Sequence, residues 1–114
     1  MSSPTEHSPT EVNALIAEDG DAVQLVDVRE PYEHDAGAIA GARHIPLGDL
    51  LANAEQLDQS RPVVFYCRVG GRSAMATDAF RASGWDARNM TGGIVAWVDE
   101  GLPLSDPAGT VADH

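Results

Sequence analysis

The chain has 114 residues, a formal net charge of −11 and seven basic residues, all of them arginine. This length suits one domain with one core. We expect that domain over residues 8–104, with flexible tails at residues 1–7 and 105–114. So acidic a surface argues against nucleic acid or an anionic membrane as a partner.

The chain has a single cysteine, which excludes an intramolecular disulfide and favours a reducing compartment. No signal peptide is apparent. The four scattered histidines give no metal-ligand spacing. We therefore expect a cytoplasmic protein without a bound metal, and a monomer as the simplest assembly.

Apolar periodicity predicts helices that alternate with strands along the chain. In the first half of the chain we predict a helix over residues 9–19 with Ser8 as its N-cap, a strand over 22–29, a helical turn over 30–35, an extended segment over 42–47 and a short helix over 48–54. In the second half we predict a strand that Pro62 opens and that ends at Cys67, a helix over 73–83, a strand over 87–90, and a last helix that begins at residue 94 and is closed by Gly101. This alternation predicts an α/β fold whose parallel sheet is covered by helices on both faces.

The segment around Cys67 carries the strongest chemical signal. An apolar strand ends at Cys67, and a predicted helix begins at Ser73. The residues between them are Arg68, Val69, Gly70, Gly71 and Arg72. Glycine-rich turns and helix N-termini present N–H groups to anions, so this loop is expected to hold a thiolate and an anionic substrate.

The two arginines of the loop are predicted to add positive charge that favours the thiolate of Cys67. The alternative for Cys67 is an inert, buried thiol. An inert thiol does not require two glycines and two arginines directly after it. We therefore interpret Cys67 as a nucleophile and Arg68 to Ser73 as its substrate-binding loop.

Asp27 and Arg29 interrupt the first predicted strand near its carboxyl end, the edge where ligands bind in open α/β sheets. They either take part in chemistry or form a polar network that orders the neighbouring loops. Buried charges persist only when they are paired or hydrogen-bonded, and nothing nearby in the sequence suggests acid–base chemistry, so we favour structural support. His34 lies among carboxylates and is expected to be an exposed histidine. For His44 we weigh a position lining the site against a packed or solvated histidine, and we favour the latter.

Four segments of the chain resemble, in order, the motifs of rhodanese-like domains: residues 25–30, 41–47, 67–73 and 92–97. The resemblance extends over about residues 8 to 104, and it is to a stand-alone, single-domain sulfurtransferase. It implies a five-stranded parallel sheet flanked by helices, a persulfide carried by Cys67, and no cofactor. It also implies that the turn and helix containing Gly92, Gly93 and Trp97 pack near the Cys67 loop.

The chemistry expected from this resemblance is a two-step transfer. The Cys67 thiolate attacks the outer sulfur of an anionic donor such as thiosulfate and expels sulfite. A thiol or cyanide then removes the sulfur from Cys67. Preorganised positive potential would supply most of the rate, and no general base is needed.

Two alternatives are considered. A sulfur carrier, or a sensing module, would act on a protein partner through the same cysteine, and the residues do not exclude a carrier. A cysteine phosphatase or arsenate reductase has five residues between its cysteine and arginine, whereas four separate Cys67 from Arg72. A shorter loop makes a narrower cradle, which suits one sulfur atom better than a tetrahedral oxyanion.

Overall fold

The computed structural model describes residues 4–113, and its five strands form one parallel sheet in the order β1-β5-β4-β2-β3. The elements are β1 Glu6–His7, α1 Pro9–Glu18, β2 Gln24–Asp27, α2 Pro31–Ala36, β3 Arg43–His44, β4 Val63–Tyr66, α3 Gly71–Ala82, β5 Ala87–Met90 and α4 Gly93–Asp99. The predicted α/β fold is therefore confirmed. None of the helices in this part of the chain combines the length and the apolar character needed to cross a bilayer.

β4 lies at the centre of the sheet and is buried along its whole length. Because side chains alternate across a strand, its residues supply two cores. Phe65 packs on one face against Phe80 of α3, with ring centroids 5.0 Å apart. Val64 belongs to the other core, with Val12 of α1 and Trp97 of α4. Helices thus cover both faces, and the carboxyl end of β4 is enclosed between them.

Local signals in the sequence account for some of the element boundaries. Ser8 and Glu11 form a reciprocal capping box at the start of α1: the Ser8 N–H donates to Glu11 Oε1, and the Glu11 N–H donates to Ser8 Oγ. The short helix predicted over residues 48–54 is instead two 3₁₀ segments, Leu47–Asp49 and Leu51–Gln56. Asn53 has non-helical dihedral angles there, which interrupts the second segment.

The flexible N-terminal tail expected over residues 1–7 is wrong for its last two residues, which lie in a strand. Residues 1–3 lie outside the described part of the chain, whereas Glu6 and His7 form β1 and pair in parallel with Asn89 and Met90 of β5. The Asn89 N–H also donates to the Thr5 carbonyl at 2.8 Å. A two-residue strand has no periodicity of its own, so only tertiary pairing defines it.

The C-terminal tail expected over residues 105–114 also differs over its described part, residues 105–113. The Ser105 N–H donates to the Ala38 carbonyl, and the Thr110 N–H donates to the Ala36 carbonyl, each at 2.8 Å. A Cβ atom on Gly37 would overlap the Thr110 carbonyl oxygen, so the two backbones approach closely only because Gly37 has no side chain. The segment is thereby held against the end of α2.

We predict that Gly37→Ala releases residues 105–113 from α2, because the added methyl group and the Thr110 carbonyl cannot occupy the same space. Hydrogen exchange of the Thr110 amide should become faster, and a protease should cut more readily after Leu104. Gly48→Ala is the matched control, since its Cβ would meet no atom within 4 Å. Unchanged protection of Thr110 in Gly37→Ala would contradict the prediction.

Candidate active site

The first turn of α4 binds the backbone carbonyls of Cys67 and of the residue that follows it. The Ile94 N–H donates to the Cys67 carbonyl at 2.9 Å, and the Val95 N–H donates to the Arg68 carbonyl at 3.1 Å. Gly93 has φ +63°, and a Cβ atom there would overlap both carbonyl oxygens. The glycine therefore permits the close approach of α4, which fixes where β4 ends and where the loop begins.

The side chain of Cys67 is surrounded by hydrogen-bond donors from the start of α3. Its Sγ accepts from the Gly70 N–H at 3.1 Å, from the Ser73 N–H at 3.5 Å and lies 3.4 Å from Ser73 Oγ. Burial by itself would raise the pKa of Cys67. Hydrogen bonds from the Ser73 hydroxyl group and from the amides of Ser73, Gly70 and Arg72 outweigh it and lower the pKa. The loop amides thus face the sulfur, as the sequence predicted.

Cys67 is 1% exposed and forms part of the wall of a cavity of about 310 Å³. The other lining residues are Arg68, Val69, Gly71 and Arg72, which are all members of the predicted substrate loop. The thiol is therefore deep but adjoins open space. Gly70 and Ser73 do not line the cavity, but their amides contact the sulfur directly.

The two loop arginines are engaged with other partners, which corrects the expected origin of the thiolate stabilisation. Arg72 donates both guanidinium nitrogens to Glu33, at 2.7 and 2.9 Å. Arg68 Nε donates to the Ala112 carbonyl at 3.3 Å, and Arg68 Nη2 lies 3.8 Å from an oxygen of Asp113. Glu33 is the main cause of a raised pKa of Arg72, and the negative charge of Cys67 contributes less to it. Neutral dipoles, more than the arginines, are thus the main groups that lower the pKa of Cys67.

Glu33 is a residue of the site that sequence reasoning missed. It is fully buried on α2, and its carboxylate also accepts from the Glu30 N–H at 3.1 Å. The hydrogen bonds from Arg72 are the main cause of a lowered pKa of Glu33. The local signal for Glu33 was its place in the first turn of a predicted helix. No sequence pattern indicated its pairing with Arg72, which lies 39 positions away.

Asp27 and Arg29 form a buried network beside the site but do not line the cavity. Arg29 donates to both carboxylate oxygens of Asp27, at 2.9 and 2.8 Å, and to the Gly37 carbonyl at 2.7 Å. Burial would raise the pKa of Asp27, but the Arg29 hydrogen bonds and charge lower it. This geometry favours the structural role over a chemical one.

His34 and His44 join the same network, and His34, which was expected to be exposed, is half-buried. His34 Nδ1 lies 2.9 Å from Asp27 Oδ2, and His44 Nε2 lies 2.8 Å from the Arg29 carbonyl oxygen. The two imidazole rings stack with centroids 4.3 Å apart. His44 does not line the cavity.

Asn89 of β5 is a second residue that sequence reasoning missed. Its Oδ1 accepts from Ser73 Oγ at 2.6 Å, and its Nδ2 lies 3.4 Å from the Gly70 carbonyl oxygen. A polar residue near the carboxyl end of a short predicted strand was the available signal. Asn89 thereby contacts Ser73 and Gly70, two of the residues that hydrogen-bond Cys67 Sγ.

Within residues 4–113, no three histidine, cysteine or acidic side chains are grouped so as to hold a metal ion. The site is therefore built from one thiol, several amides, one hydroxyl group and ion-paired arginines. That combination can stabilise negative charge on Cys67 and on an atom attached to it.

Comparison with known proteins places this arrangement in a family. The sequence profile of the rhodanese-like domain matches residues 8–100, so the chain belongs to the rhodanese-like domain family. A sulfurtransferase of Allochromatium vinosum is 37% identical over 92 residues, which are 80% of this chain and 86% of that protein. The crystal structure of a rhodanese-like domain protein from Staphylococcus aureus has a TM-score of 0.78 and 31% identity, and covers 90% of this chain and 99% of that one.

A larger relative contains a similar region. A probable adenylyltransferase/sulfurtransferase of Mycobacterium tuberculosis, MoeZ, is 42% identical over 88 residues, 74% of this chain but 22% of that protein. The family and the names of these relatives support a function in sulfur transfer.

We predict that Glu33→Gln lowers the free energy of unfolding at pH 7 by about 1–3 kcal/mol, because a hydrogen bond to a charged partner is weakened inside the protein. The Glu33 pKa is lowered on folding, so its contribution is complete above the unfolded pKa of about 4.3 and is lost at lower pH. Urea unfolding should therefore show the two proteins converging as the pH falls below about 4.

Glu55→Gln is the control for this measurement, since Glu55 is an exposed carboxylate on a 3₁₀ segment. It should leave the unfolding free energy nearly unchanged throughout the pH series. A constant difference between wild type and Glu33→Gln down to pH 3 would contradict the assignment of Glu33 as an ionised partner of Arg72.

Proposed function

We propose that this chain is a sulfurtransferase that carries a sulfane sulfur as a persulfide on Cys67. The observation that supports this most is the convergence of the Gly70 and Ser73 donors on Cys67 Sγ, beside a cavity of about 310 Å³. These donors are already in place before any substrate binds, so little reorganisation accompanies the development of charge. The reaction needs a reduced thiol and no cofactor, which suits a reducing compartment such as the cytoplasm.

In the first half-reaction, the Cys67 thiolate attacks the outer sulfur of thiosulfate or a similar anionic donor. A bond forms between Sγ and that sulfur. The sulfur–sulfur bond of the donor breaks, and sulfite leaves with its electron pair. The negative charge of the thiolate is thereby passed to the terminal sulfur of the persulfide, which lies toward the cavity.

In the second half-reaction, a nucleophile attacks the terminal sulfur of the persulfide. A thiolate acceptor becomes a persulfide itself, and cyanide becomes thiocyanate. The electron pair of the broken bond returns to Sγ, so the Cys67 thiolate is regenerated. No proton moves in either step, so the hydrogen-bond donors that contact Sγ are sufficient for it.

The geometry of the loop favours sulfur transfer over phosphate chemistry. The Gly70 and Ser73 amides point at Sγ itself, and only four residues separate Cys67 from Arg72. Arg72 is also held by both oxygens of Glu33, which leaves less of its guanidinium group for a tetrahedral oxyanion. A cysteine phosphatase would need a wider ring of free donors.

A protein thiol as the acceptor, with this chain acting as a sulfur carrier, is the second candidate. It is favoured by Val69, an apolar residue that lines the cavity and is 58% exposed. An apolar side chain at the entrance does not help to bind a small anion, but a protein partner can bury it. The net charge of −11 would suit a partner with a basic surface.

We predict that incubation with thiosulfate adds one sulfur atom to the intact protein, and that cyanide removes it with formation of thiocyanate. Cys67→Ser should gain no sulfur. Intact mass spectrometry follows both steps. Absence of sulfur addition from thiosulfate and from a low-molecular-weight persulfide would contradict the proposal, as would hydrolysis of an aryl phosphate faster than sulfur transfer. Slow release to cyanide beside fast release to a protein thiol would identify the carrier.

We also predict that Arg68→Ala raises the KM for thiosulfate several-fold with little loss of stability. Arg68 lines the cavity, and its bonds to Ala112 and Asp113 lie at the surface. Arg61→Ala, which removes a surface arginine outside this cavity, is the charge-matched control. An equal change of KM in both variants would show a general effect of net charge. Arg72→Ala is less informative, because it leaves the buried carboxylate of Glu33 without its partner.

A further inference from the structure

The hydroxyl group of Ser73 has one hydrogen and two acceptors within reach. Its Oγ lies 2.6 Å from Asn89 Oδ1 and 3.4 Å from Cys67 Sγ. Ser73 is fully buried, and Asn89 is 5% exposed. Bulk water therefore does not supply a second donor, and the two acceptors compete for the same hydrogen.

The Gly70 carbonyl determines which way the Asn89 amide faces. It lies 3.4 Å from Asn89 Nδ2 and can only accept. Turning the amide over would place two acceptor oxygens against each other, so Nδ2 faces Gly70 and Oδ1 faces Ser73. Because Oδ1 also can only accept, the short contact of 2.6 Å requires that Ser73 donates its hydrogen to Asn89.

The charge on Cys67 Sγ decides between the two acceptors. While the sulfur is a thiol, Ser73 donates to Asn89 and offers only a lone pair to the S–H group. When the sulfur is a thiolate, it is the stronger acceptor, since hydrogen bonds to ions are about twice as strong as neutral ones. Rotation about the Cβ–Oγ bond of Ser73 then moves the hydrogen to Sγ without displacing any heavier atom.

We propose that Asn89 is a positioning residue of this site, which holds the Ser73 hydroxyl hydrogen while Cys67 Sγ is neutral and yields it when Sγ becomes negative. For turnover, this inference rests on the proposed function, in which Sγ alternates between thiolate and persulfide. Its effect on the protein without substrate does not depend on which compound donates sulfur or which accepts it.

The consequence for the free protein is that Asn89 opposes ionisation of Cys67. Removing its amide leaves the Ser73 hydrogen free to stabilise the thiolate in advance. Among residues 4–113, the charged groups around Cys67 are Arg68 of the loop, which lies near Asp113, and Arg72 of α3, which is paired with Glu33 of α2. Substitution of Asn89 leaves these charges in place.

The test is a titration of the Cys67 thiolate in Asn89→Ala, followed by absorbance at 240 nm and by the rate of alkylation with iodoacetamide. Cys67→Ser supplies the blank for both signals. We expect the ionisation midpoint to fall, with about threefold to tenfold more thiolate at a fixed pH below it, the range set by one competing hydrogen bond. An unchanged or higher midpoint overturns the proposal.

A double-mutant cycle separates the Ser73 route from a looser loop, because Asn89 also contacts Gly70. In a Ser73→Ala background, Asn89→Ala should shift the midpoint no further. The same shift in that background overturns the proposal in favour of an effect through Gly70. Asn89→Leu, which conserves volume, repeats the measurement if Asn89→Ala does not fold.

Thr77→Val is the matched control for loss of a buried hydroxyl group in α3. Thr77 Oγ1 donates to the Ser73 carbonyl at 2.8 Å and does not compete for the Ser73 hydrogen. Its midpoint should equal that of the wild type. All these titrations use the protein without a sulfur donor, so a failure of sulfur transfer does not affect how they are interpreted.

Discussion

The close approach of α4 to the end of β4 is the contact on which the site depends. The strand delivers Cys67, but the first amides of α4 hold the Cys67 and Arg68 carbonyls and so set the direction in which the loop leaves the sheet. The loop can then turn back and present the Gly70 and Ser73 amides to Sγ. Gly93 makes this possible because any side chain there would overlap the carbonyls that α4 binds. The reactive sulfur is thus positioned by backbone contacts on two sides.

The electrostatics of the site follow from the acidity of the molecule as a whole. In a chain with 18 acidic and seven basic residues, a loop arginine readily finds a carboxylate, and Arg72 is bound by Glu33 through both oxygens. The stabilisation of negative sulfur consequently comes mainly from neutral groups, the amides and one hydroxyl group. Fixed dipoles inside a protein are screened by salt much less than exposed charges are. The role of Arg72 in the site is structural: its hydrogen bonds to Glu33 fix the separation between α3 and α2.

The sequence was sufficient for those parts of the structure that have a local cause. The apolar run of β4, the capping box at Ser8 and the amide-rich loop after Cys67 each depend on neighbouring residues, and each is present as predicted. The pairing of Arg72 with Glu33 and of Ser73 with Asn89 depends on tertiary structure, and neither leaves a pattern in the chain. The same holds for the two-residue β1 and for the return of residues 105–113 along α2. Composition predicted flexible tails at both ends, but the backbones of Glu6, His7, Ser105 and Thr110 find partners once the sheet and α2 exist.

The pairing of Ser73 with Asn89 has a physical role that explains its place in the site. The proposed reaction requires a sulfur atom whose charge alternates. A fixed cation beside it would stabilise the thiolate strongly and would thereby reduce its nucleophilicity. Amides at 3.1 and 3.5 Å from Sγ give moderate, permanent stabilisation. A hydroxyl group whose hydrogen has a second acceptor, Asn89, adds a contribution that follows the charge itself. Placing that acceptor on β5, beside the strand that carries Cys67, keeps it within reach of Ser73 without exposing either side chain to water.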